Sequence, residues 1–591
     1  MQDLFSFYKT RIAEFSHELS KIKKKLFASS MLRLVVFCMA AFGVYLFFGN
    51  TRVIMAIVLC AIILFIYLVS RHADLQYARN TLNTLIDINT TELAVLNRDF
   101  HDLPDGSGFK DPNHYYSQDI DLFGKGSFYQ YVNRSSLPEG STTLASILKG
   151  NDIIDIPKKQ EAVSELAEIP KWRQDFSATA SMTTSETPIF SIVNWLHKYI
   201  SFVPKVMRVL PWIFTGLSVT VFILFFTDMI KESILLYWMG LGLVISGLYT
   251  KKITKLSIGA SKLQSTFQQY NKLLHLIEQQ DFNSAVLKNK KELITSKGRK
   301  SSEVLKEFSR LLGNLDRNNN IIYLIFGNGF FLSGLSTCYK IENWIKTHGG
   351  AVEQWFDIIA FFDAYASLGN FAFNHPEYSY PEIKDVGSVI KSRDAGHPLL
   401  DPVKSVTNDF EIGKQDFFII TGANMAGKST FLRTVSLQIL MANLGLPVCA
   451  SEMEYSPIKL ITSMRTTDSL TDDESYFFSE LKRLRFIVDE IETDNYFIVL
   501  DEILKGTNSR DKAIGSRKFV ERLVASKSTG IIATHDLSLC EVSQTLPQVK
   551  NFYFDAEIVN NELHFDYTFK KGICQNMNAS FLLRKMNIIL N

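Results

Sequence analysis

The sequence has few cysteines, and none of them is arranged as a disulfide framework or a zinc site would require. Six cysteines are spread over 591 residues, and no two are spaced as C-x-x-C. This distribution is typical of a protein that keeps free thiols in a reducing compartment. An excess of charge of one sign is also lacking. Because the formal net charge is +2, composition neither requires nor excludes a polyanionic partner.

Apolar residues are in excess, and they are concentrated in a few blocks. Hydrophobic residues make up 46% of the chain and charged residues only 21%. Uncharged runs at 34–48 and 53–69 form one pair, and runs at 209–226 and 234–249 form a second. Lysines and arginines flank both pairs, so the positive-inside rule predicts two transmembrane hairpins that enter and leave from the cytoplasm. The alternative is two buried hairpins in a large soluble protein.

Several stretches between and beyond these runs predict helices. Residues 8–26 predict an amphipathic helix that ends in lysines. Residues 256–277 predict a heptad seam on a helix that continues unbroken from the last apolar run, either packed on a neighbour or acting as a rigid lever. The lysine-rich residues 288–300 predict a solvated turn, with contact to phosphates of nucleic acid or anionic lipid as the alternative. Residues 321–335 are apolar but broken by two glycines, and we expect a buried segment and not a fifth span.

The motif with the most specific spacing is TGANMAGKST, which follows a short apolar run. It meets the pattern G-x-x-x-x-G-K-[ST] with Gly422, Gly427, Lys428 and Ser429. Such a loop wraps backbone N–H groups around a triphosphate, and the next helix points its positive end at the anion. The pattern predicts that Lys428 binds the β- and γ-phosphates and that Ser429 binds Mg²⁺. An ordinary glycine turn is the alternative. The predicted nucleotide-binding residues of the loop are Gly422, Ala423, Asn424, Met425, Ala426, Gly427, Lys428, Ser429 and Thr430.

Two later strand ends carry the remaining chemistry. An apolar run at 496–500 leads directly into Asp501 and Glu502. We expect Asp501 to bind the metal and Glu502 to orient or deprotonate the attacking water. A third apolar run at 529–533 ends shortly before His535, which is expected to sense the γ-phosphate, whereas a lone histidine is more often structural. The predicted catalytic residues are therefore Glu502, His535 and Lys428.

Three segments in this order, ITGANMAGKST, FIVLDEILKGTNSRD and IIATHD, resemble the ATPase domain of MutS proteins, the mismatch-repair members of the ABC-type ATPases. RTTDSLTDDESYFF at 465–478 is similar to the family's loop in which a serine from one protomer reaches the γ-phosphate bound by the other. The resemblance implies that Ser475 has this trans role, that Asn424 is the family's loop asparagine, and that the protein is a homodimer with composite ATP sites. Residues 119–166, 355–370 and 394–398 resemble the family's core and the entry to its ATPase domain.

The departures from the family pattern concern DNA reading and base binding. The first ~200 residues contain no F-x-E triplet, and no globular domain precedes the first hairpin, so the chain resembles a membrane-anchored variant without the mismatch-reading domain. Ser405 occupies the place of the aromatic residue expected to stack on adenine, which leaves that partner unassigned. Duplex DNA is expected as a partner by resemblance, but mismatch recognition is not implied.

The sequence thus predicts a multidomain fold in which a helical MutS-like core carries two transmembrane hairpins and a C-terminal α/β P-loop domain follows. The predicted divisions are 1–30 (amphipathic helix), 31–70 (hairpin 1), 71–204 (core, first part), 205–252 (hairpin 2), 253–395 (lever and core, second part) and 396–591 (ATPase domain). We expect a Mg²⁺-dependent ATPase in a multi-pass membrane protein, with the bacterial inner membrane as its location and both termini and the ATPase domain in the cytoplasm.

Two other functions remain open. An ABC transporter half has the same layout of spans followed by an ATPase. It usually needs about six spans, whereas four candidates occur here and no LSGGQ-type signature is present. A membrane ATPase that acts on a protein partner without DNA is the second.

Overall fold

Helices form the first two thirds of the chain, and a sheet-containing domain follows them. The computed structural model describes residues 2–183, 188–295, 298–317, 320–423, 425–465, 476–559 and 562–575. The helices of the first part are α1 (Gln2–Leu46), α2 (Thr51–Leu96), α3 (Phe128–Val132), α4 (Pro138–Lys149), α5 (Ile156–Glu168), α6 (Pro170–Ser181), α7 (Ile189–His197), α8 (Leu210–Phe226), α9 (Glu232–Gly247), α10 (Thr250–Gln279), α11 (Ala285–Thr295), α12 (Ser301–Asp316), α13 (Ile321–Phe331), α14 (Ser333–His348) and α15 (Val352–Asn374).

The first hairpin consists of two very long helices, α1 with 45 residues and α2 with 46. The predicted amphipathic helix and the first apolar run are one helix, so the predicted boundary at residue 30 falls inside α1. The N-terminal half of α1 and the C-terminal half of α2 are held together by a small core, in which Phe15 and Leu19 of α1 meet Leu82 and Leu85 of α2 and Ala178 of α6. The apolar halves carry their side chains on the outside, because the apolar window is unburied in α1 and almost unburied in α2.

The second apolar cluster contains three helices, α8, α9 and α13. In α13, Gly329 meets Gly242 of α9 so closely that a Cβ on Gly242 would lie 2.2 Å from the Gly329 carbonyl oxygen. Ser218 of α8 donates to the Phe330 carbonyl at 2.6 Å. The expectation of a buried segment at 321–335 is wrong for its first turns, because Ile321, Ile322 and Phe326 are exposed. Only the end of α13, residues 327–330, is buried, where Gly329 packs against α9.

The predicted unbroken helix from the last apolar run into the heptad seam is also wrong. Helix α9 ends at Gly247 and α10 starts at Thr250, and the two are bent by 67°. The seam itself is buried as expected. Its side chains pack with α12 and α15 in the main core, where Phe267 contacts Phe308 edge to face at 4.9 Å between ring centroids. The seam residues that are buried are Leu256, Ala260, Leu263, Phe267, Tyr270, Leu274 and Ile277.

By length and composition, two helices among the described residues, α1 and α2, are long and apolar enough to cross a membrane. The number rises to four if two bent pairs each count as one span, α9 with Thr250–Ala260 of α10 and α13 with the helical stretch Ser333–Asn374. Helix α8 has 17 residues, which at 1.5 Å per residue gives about 26 Å, slightly less than the ~30 Å of bilayer hydrocarbon.

Helix α15 is the central helix of the helical part and is buried along most of its length. Its Asp363 carboxylate is fully buried and accepts from the backbone N–H groups of Ser136 (3.1 Å) and Leu137 (2.9 Å), at the start of α4. Burial raises the pKa of Asp363 to about 7. A buried acceptor at this place satisfies N–H groups that the first turn of a helix leaves unpaired.

The elements of the C-terminal domain are β1 (Glu382–Ile383), β2 (Ile390–Ala395), β3 (Asn408–Ile412), β4 (Phe417–Gly422), α16 (Lys428–Asn443), β5 (Glu452–Tyr455), β6 (Lys459–Ser463), α17 (Tyr476–Glu490), β7 (Tyr496–Asp501), α18 (Ser509–Ala525), β8 (Thr529–Ala533), β9 (Val549–Phe554), β10 (Glu557–Val559), β11 (Glu562–His564) and β12 (Lys570–Lys571).

These strands form a six-stranded sheet in the order β12-β9-β4-β8-β7-β6, parallel except for β12, and a four-stranded sheet in the order β1-β5-β2-β3. Every residue of β4 is buried, as is typical of a central parallel strand covered on both faces. Strands β1 and β2 precede residue 396, the predicted start of this domain, and both pair with β5.

Candidate nucleotide-binding site

The loop between β4 and α16 has the backbone that the glycine pattern predicts. Gly422 has a φ of 152° and Gly427 a φ of 103°. A Cβ on Gly422 would lie 2.6 Å from the carbonyl oxygen of Phe554 in the neighbouring strand β9. Both positions therefore need glycine, one for close strand packing and both for the turn. Helix α16 starts at Lys428, so its positive end lies directly behind the loop.

Lys428 lies within the loop, and its charge is partly buried. Its Nζ donates to the carbonyl oxygens of Gly422 (2.8 Å) and Ala423 (2.9 Å). Burial lowers the pKa of the Lys428 ammonium, whereas the charges of Asp501 and Glu502 oppose that shift. An ammonium held this way has one N–H left to direct outward. Its position suits a phosphate bound in the loop.

Ser429 and Asp501 are in direct contact. The Ser429 hydroxyl donates to Oδ2 of Asp501 at 2.6 Å. Within the described residues no group of three His, Cys, Asp or Glu side chains converges as a metal cluster. Mg²⁺ in nucleotide sites usually takes one or two protein oxygens and completes its shell with water and phosphate oxygens. The paired hydroxyl and carboxylate therefore fit Mg²⁺ bound together with a nucleotide.

Glu502 follows Asp501 in a left-handed backbone conformation, with a φ of 53°. Its carboxylate accepts from Nζ of Lys512 at 3.0 Å, and Nζ of Lys505 lies 3.9 Å away. Burial raises the pKa of Glu502, but the hydrogen bond and charge of Lys512 outweigh burial and leave the pKa below its ordinary value. Glu502 is therefore charged at neutral pH, which suits an acceptor that orients a water molecule.

The turn after Glu502 is held by a residue that the sequence did not single out. Glu480 of α17 is buried, and its carboxylate accepts from the backbone N–H groups of Leu504 (2.5 Å) and Lys505 (3.0 Å). Leu504 also has a positive φ, 59°. Two non-glycine residues in this conformation indicate a turn that surrounding contacts maintain. No sequence motif marks Glu480, since its role depends on α17 packing beside the end of β7.

His535 lies two residues beyond the end of β8 and is half-buried. Burial, and next the positive charge of Lys428, lower the pKa of its imidazole. The ring is therefore neutral at pH 7 and offers one N–H donor and one acceptor nitrogen. The strand order β4-β8-β7 brings His535 to the same sheet edge as the loop and Asp501.

These side chains surround one cleft of about 590 Å³. Of the predicted residues, Ala423 and Ala426 are buried in the loop, while Asn424 and Ser475 lie outside the described residues. The predicted residues that line the cleft are Met425, Gly427, Lys428, Ser429, Thr430, Asp501, Glu502 and His535.

The cleft also contains an aromatic ring that the sequence did not indicate. Tyr567 lines it and is 43% exposed, and its ring edge stands 3.1 Å from where a Cβ on Gly427 would lie. Asn408 fixes the backbone there by donating to the Tyr567 carbonyl at 3.0 Å and accepting from the Phe569 N–H at 2.7 Å. Ser405 lines the same cleft. Tyr567 thus brings an aromatic side chain to the cleft, beside the loop.

The geometry defines the class as a P-loop nucleotide-binding domain. Residues 418–584 match the family model of MutS domain V. The chain is 31% identical over 220 residues to the DNA mismatch repair protein MSH4 of Arabidopsis thaliana, covering 35% of this chain and 27% of that protein. It is 29% identical over 294 residues to the DNA mismatch repair protein MutS of Desulfatibacillum aliphaticivorans, covering 48% and 31%.

A third relative, MutS protein homolog 4 of Homo sapiens, is 28% identical over 250 residues, which cover 40% of this chain and 26% of that protein. Together, these matches show that residues 418–584 are similar to MutS domain V and that part of the chain is similar to proteins of the MutS family. The matched part spans about a third or less of the length of these relatives.

We expect replacement of Tyr567 by Asn to weaken nucleotide binding about five- to 150-fold, because stacking of a base on an aromatic ring contributes about 1–3 kcal/mol. Asn suits the positive φ of 52° at this position, so the change removes the ring without straining the backbone. Tyr567→Phe keeps the ring and serves as the control. The measurement is titration with a fluorescent ATP analogue. Equal affinity of Tyr567→Asn and the parent protein would contradict a base contact.

Proposed function

We propose that the protein binds and hydrolyses ATP with Mg²⁺ at the cleft between β4, β7 and β8. The observation that carries the proposal is the convergence of Lys428, the Ser429–Asp501 pair and Glu502 at one edge of a parallel sheet. Ligands of open α/β sheets bind outside the carboxyl ends of the strands. The match of this region to MutS domain V supports the same reading.

Each side chain has a distinct role in this proposal. The loop backbone and Lys428 hold the phosphates, and Tyr567 contacts the base. Ser429 and Asp501 would hold Mg²⁺, which would supply positive charge to neutralise the phosphates. Glu502 orients the attacking water, and the neutral imidazole of His535 donates or accepts a hydrogen bond near the γ-phosphate.

The proposal extends to a homodimer in which Ser475 of one protomer reaches the ATP of the other. It rests on the resemblance of residues 465–478 to the family's trans loop. A composite site would make hydrolysis depend on protein concentration.

We expect Glu502→Gln to bind ATP but to hydrolyse it at least about 100-fold more slowly, because the amide keeps the shape of the side chain and loses its charge. We expect the same variant to accumulate as an ATP-bound dimer on gel filtration. Lys428→Ala should lose nucleotide binding itself. Glu521→Gln, an exposed position on α18, is the matched control. Parent-like turnover by Glu502→Gln would remove this residue from catalysis.

We also propose that hydrolysis is coupled to duplex DNA. The support is the match of residues 418–584 to MutS domain V together with the names of two relatives, which are DNA mismatch repair proteins. The absence of an F-x-E triplet from the first part of the chain leaves mismatch reading outside the proposal. The competing function is an ATPase that acts on a protein partner at the membrane.

Stimulation of the ATPase rate by DNA separates these two functions. We expect homoduplex or branched DNA to raise the rate at low salt and to lose this effect as salt increases, because phosphate contacts release counterions. The measurement compares homoduplex, mismatched and branched DNA at two salt concentrations, with detergent-purified protein. No response to any of the three would exclude DNA coupling and favour the protein partner.

The apolar helices support a further proposal, that the protein is an integral, multi-pass protein of a membrane such as the bacterial inner membrane, with the ATPase domain in the cytoplasm. In α1 and α2 the outward-facing side chains of the apolar halves are large and exposed, such as Phe37 and Ile62. Lysines precede the apolar half of α1, at residues 21–25. The positive-inside rule assigns this end of the apolar half to the cytoplasm.

Charges placed on this surface test the proposal. We expect the parent protein to stay in the membrane pellet after alkaline extraction. The double variant Ile62→Lys and Phe65→Lys should lose much of that fraction, because each lysine at the centre of a span costs about 3 kcal/mol. Val386→Lys, at an exposed position outside the apolar helices, is the control. Release of the parent protein by alkali would contradict a membrane span.

A further inference from the structure

Helix α2 is the longest helix in the described chain, and it joins the apolar surface directly to the nucleotide cleft. Its 46 residues extend over about 69 Å at 1.5 Å per residue. The apolar run 53–69 occupies its first half. Its second half is anchored in the helical core, and the residues that follow its end contact the P-loop domain. The lever predicted for the seam helix α10 is thus better matched by α2, because the bend before α10 interrupts that connection.

The C-terminal half of α2 is fixed by buried polar contacts. Glu92 is almost fully buried and accepts from Nε of Arg134 at 2.6 Å and from the side-chain amide of Asn374 at 2.7 Å. The same Asn374 accepts from the Tyr8 hydroxyl of α1 at 2.6 Å. Breaking a buried charged pair leaves an uncompensated charge, which is costly. The α1–α2 pair is therefore held against α15 in one arrangement.

The first contact with the nucleotide cleft comes directly after α2. Arg98 has a positive φ of 65°, and its Nη1 donates to the carbonyl oxygen of Pro398 at 2.6 Å. The residue before that proline, His397, lines the cleft. The end of α2 thus holds one wall of the nucleotide site through a charged hydrogen bond.

The second contact is made by the segment 115–121, which we name the core latch. Both carboxylate oxygens of Asp121 accept from the guanidinium of Arg465, at the end of β6. Arg433 lies on α16, five residues after Lys428; its Nε donates to the Asp119 carbonyl at 3.3 Å and lies 3.7 Å from the Asp121 carboxylate. The latch therefore touches the helix that begins with Lys428 and Ser429.

Further hydrogen bonds join the core latch to the edge strand β6 and to α17. The Asp119 carboxylate accepts from the Thr462 hydroxyl at 2.6 Å and from the Arg465 backbone N–H at 2.8 Å. Arg483 of α17 donates to the Tyr115 carbonyl at 2.6 Å. Three elements of the P-loop domain, α16, β6 and α17, thus meet on one short segment of the helical core. Helix α16, which begins at the nucleotide loop, is therefore joined to the helical core through this segment.

We propose that α2, Arg98 and the core latch couple the nucleotide state to the apolar half of α2, with Asp121 and Arg98 as positioning residues. The inference rests on the proposed ATP site. In this arrangement a nucleotide-dependent shift of α16, or of the cleft wall at His397, moves the C-terminal end of α2. Because α2 is one continuous helix, the displacement reaches the apolar half.

The experiment places an environment-sensitive fluorophore on Cys60, an exposed residue in the apolar half of α2, in a Cys38→Ser background reconstituted into lipid nanodiscs. We expect ATP to change the emission of this label. In Asp121→Asn, which suits the positive φ of 53° at this position, we expect the emission change to disappear. The KM for ATP should stay within about twofold, and kcat should fall about three- to thirtyfold.

Three variants make the result specific. Arg465→Lys keeps the charge but loses the two-pronged contact, and it should act like Asp121→Asn if that variant folds poorly. Asp494→Asn breaks another ion pair of the same domain, with Lys459, and should change neither emission nor kinetics. A Cys38→Ser, Cys60→Ser protein should give no ATP-dependent signal.

The outcomes separate this inference from the proposed function. ATP hydrolysis by the parent protein without an emission change, or an emission change that survives both latch variants, would overturn the coupling and leave the ATPase intact. Failure of the parent protein to bind ATP would overturn the proposed function, and the coupling with it.

Discussion

Backbone pairing of β4 with its two neighbours is the constraint on which the nucleotide site depends. Strand β4 pairs in parallel with β8 on one side and β9 on the other, and all six of its residues are buried. This register brings Gly422 against Phe554 and places the strand ends that precede Glu502 and His535 at the same sheet edge. Because Gly422 lies directly against the backbone of Phe554, a side chain at Gly422 would push β9 away. The positions of Lys428, Asp501 and Tyr567 all follow from that packing.

The sequence predicts the parts of this site that local pattern determines. The glycine loop, the strand before it and the acidic strand end at Asp501 are all local signals, and the structure shows β4, α16 and β7 where they were expected. Tyr567 and Glu480 were missed because each reaches the site only through tertiary packing, from a segment without a motif. Asn424 and Ser475 lie outside the described residues, so their roles stay predictions.

In the helical part, apolar patterning predicts helices but not how they connect. The seam at 256–277 is buried as its heptad spacing predicts, yet the helix is separated from α9 by a sharp bend. Nothing in the apolar spacing marks this break, because Leu248 and Tyr249 continue the pattern. The apolar pattern predicts that the glycines of α13 interrupt it, whereas Gly329 lets the helix approach α9 at Gly242. Spacing alone does not distinguish a glycine that breaks a helix from one that lets two helices pack.

The order of these elements along the chain has a consequence for synthesis. Strand β4 is near residue 420, and its partners β8 and β9 are more than 100 residues further on. The central strands therefore cannot pair until residues up to β9 have left the ribosome. The apolar helices, by contrast, are finished by α13, well before β4 appears. The nascent chain thus presents its most aggregation-prone surface first and its sheet last. Covering that surface early would keep it from associating with the unpaired strands that follow.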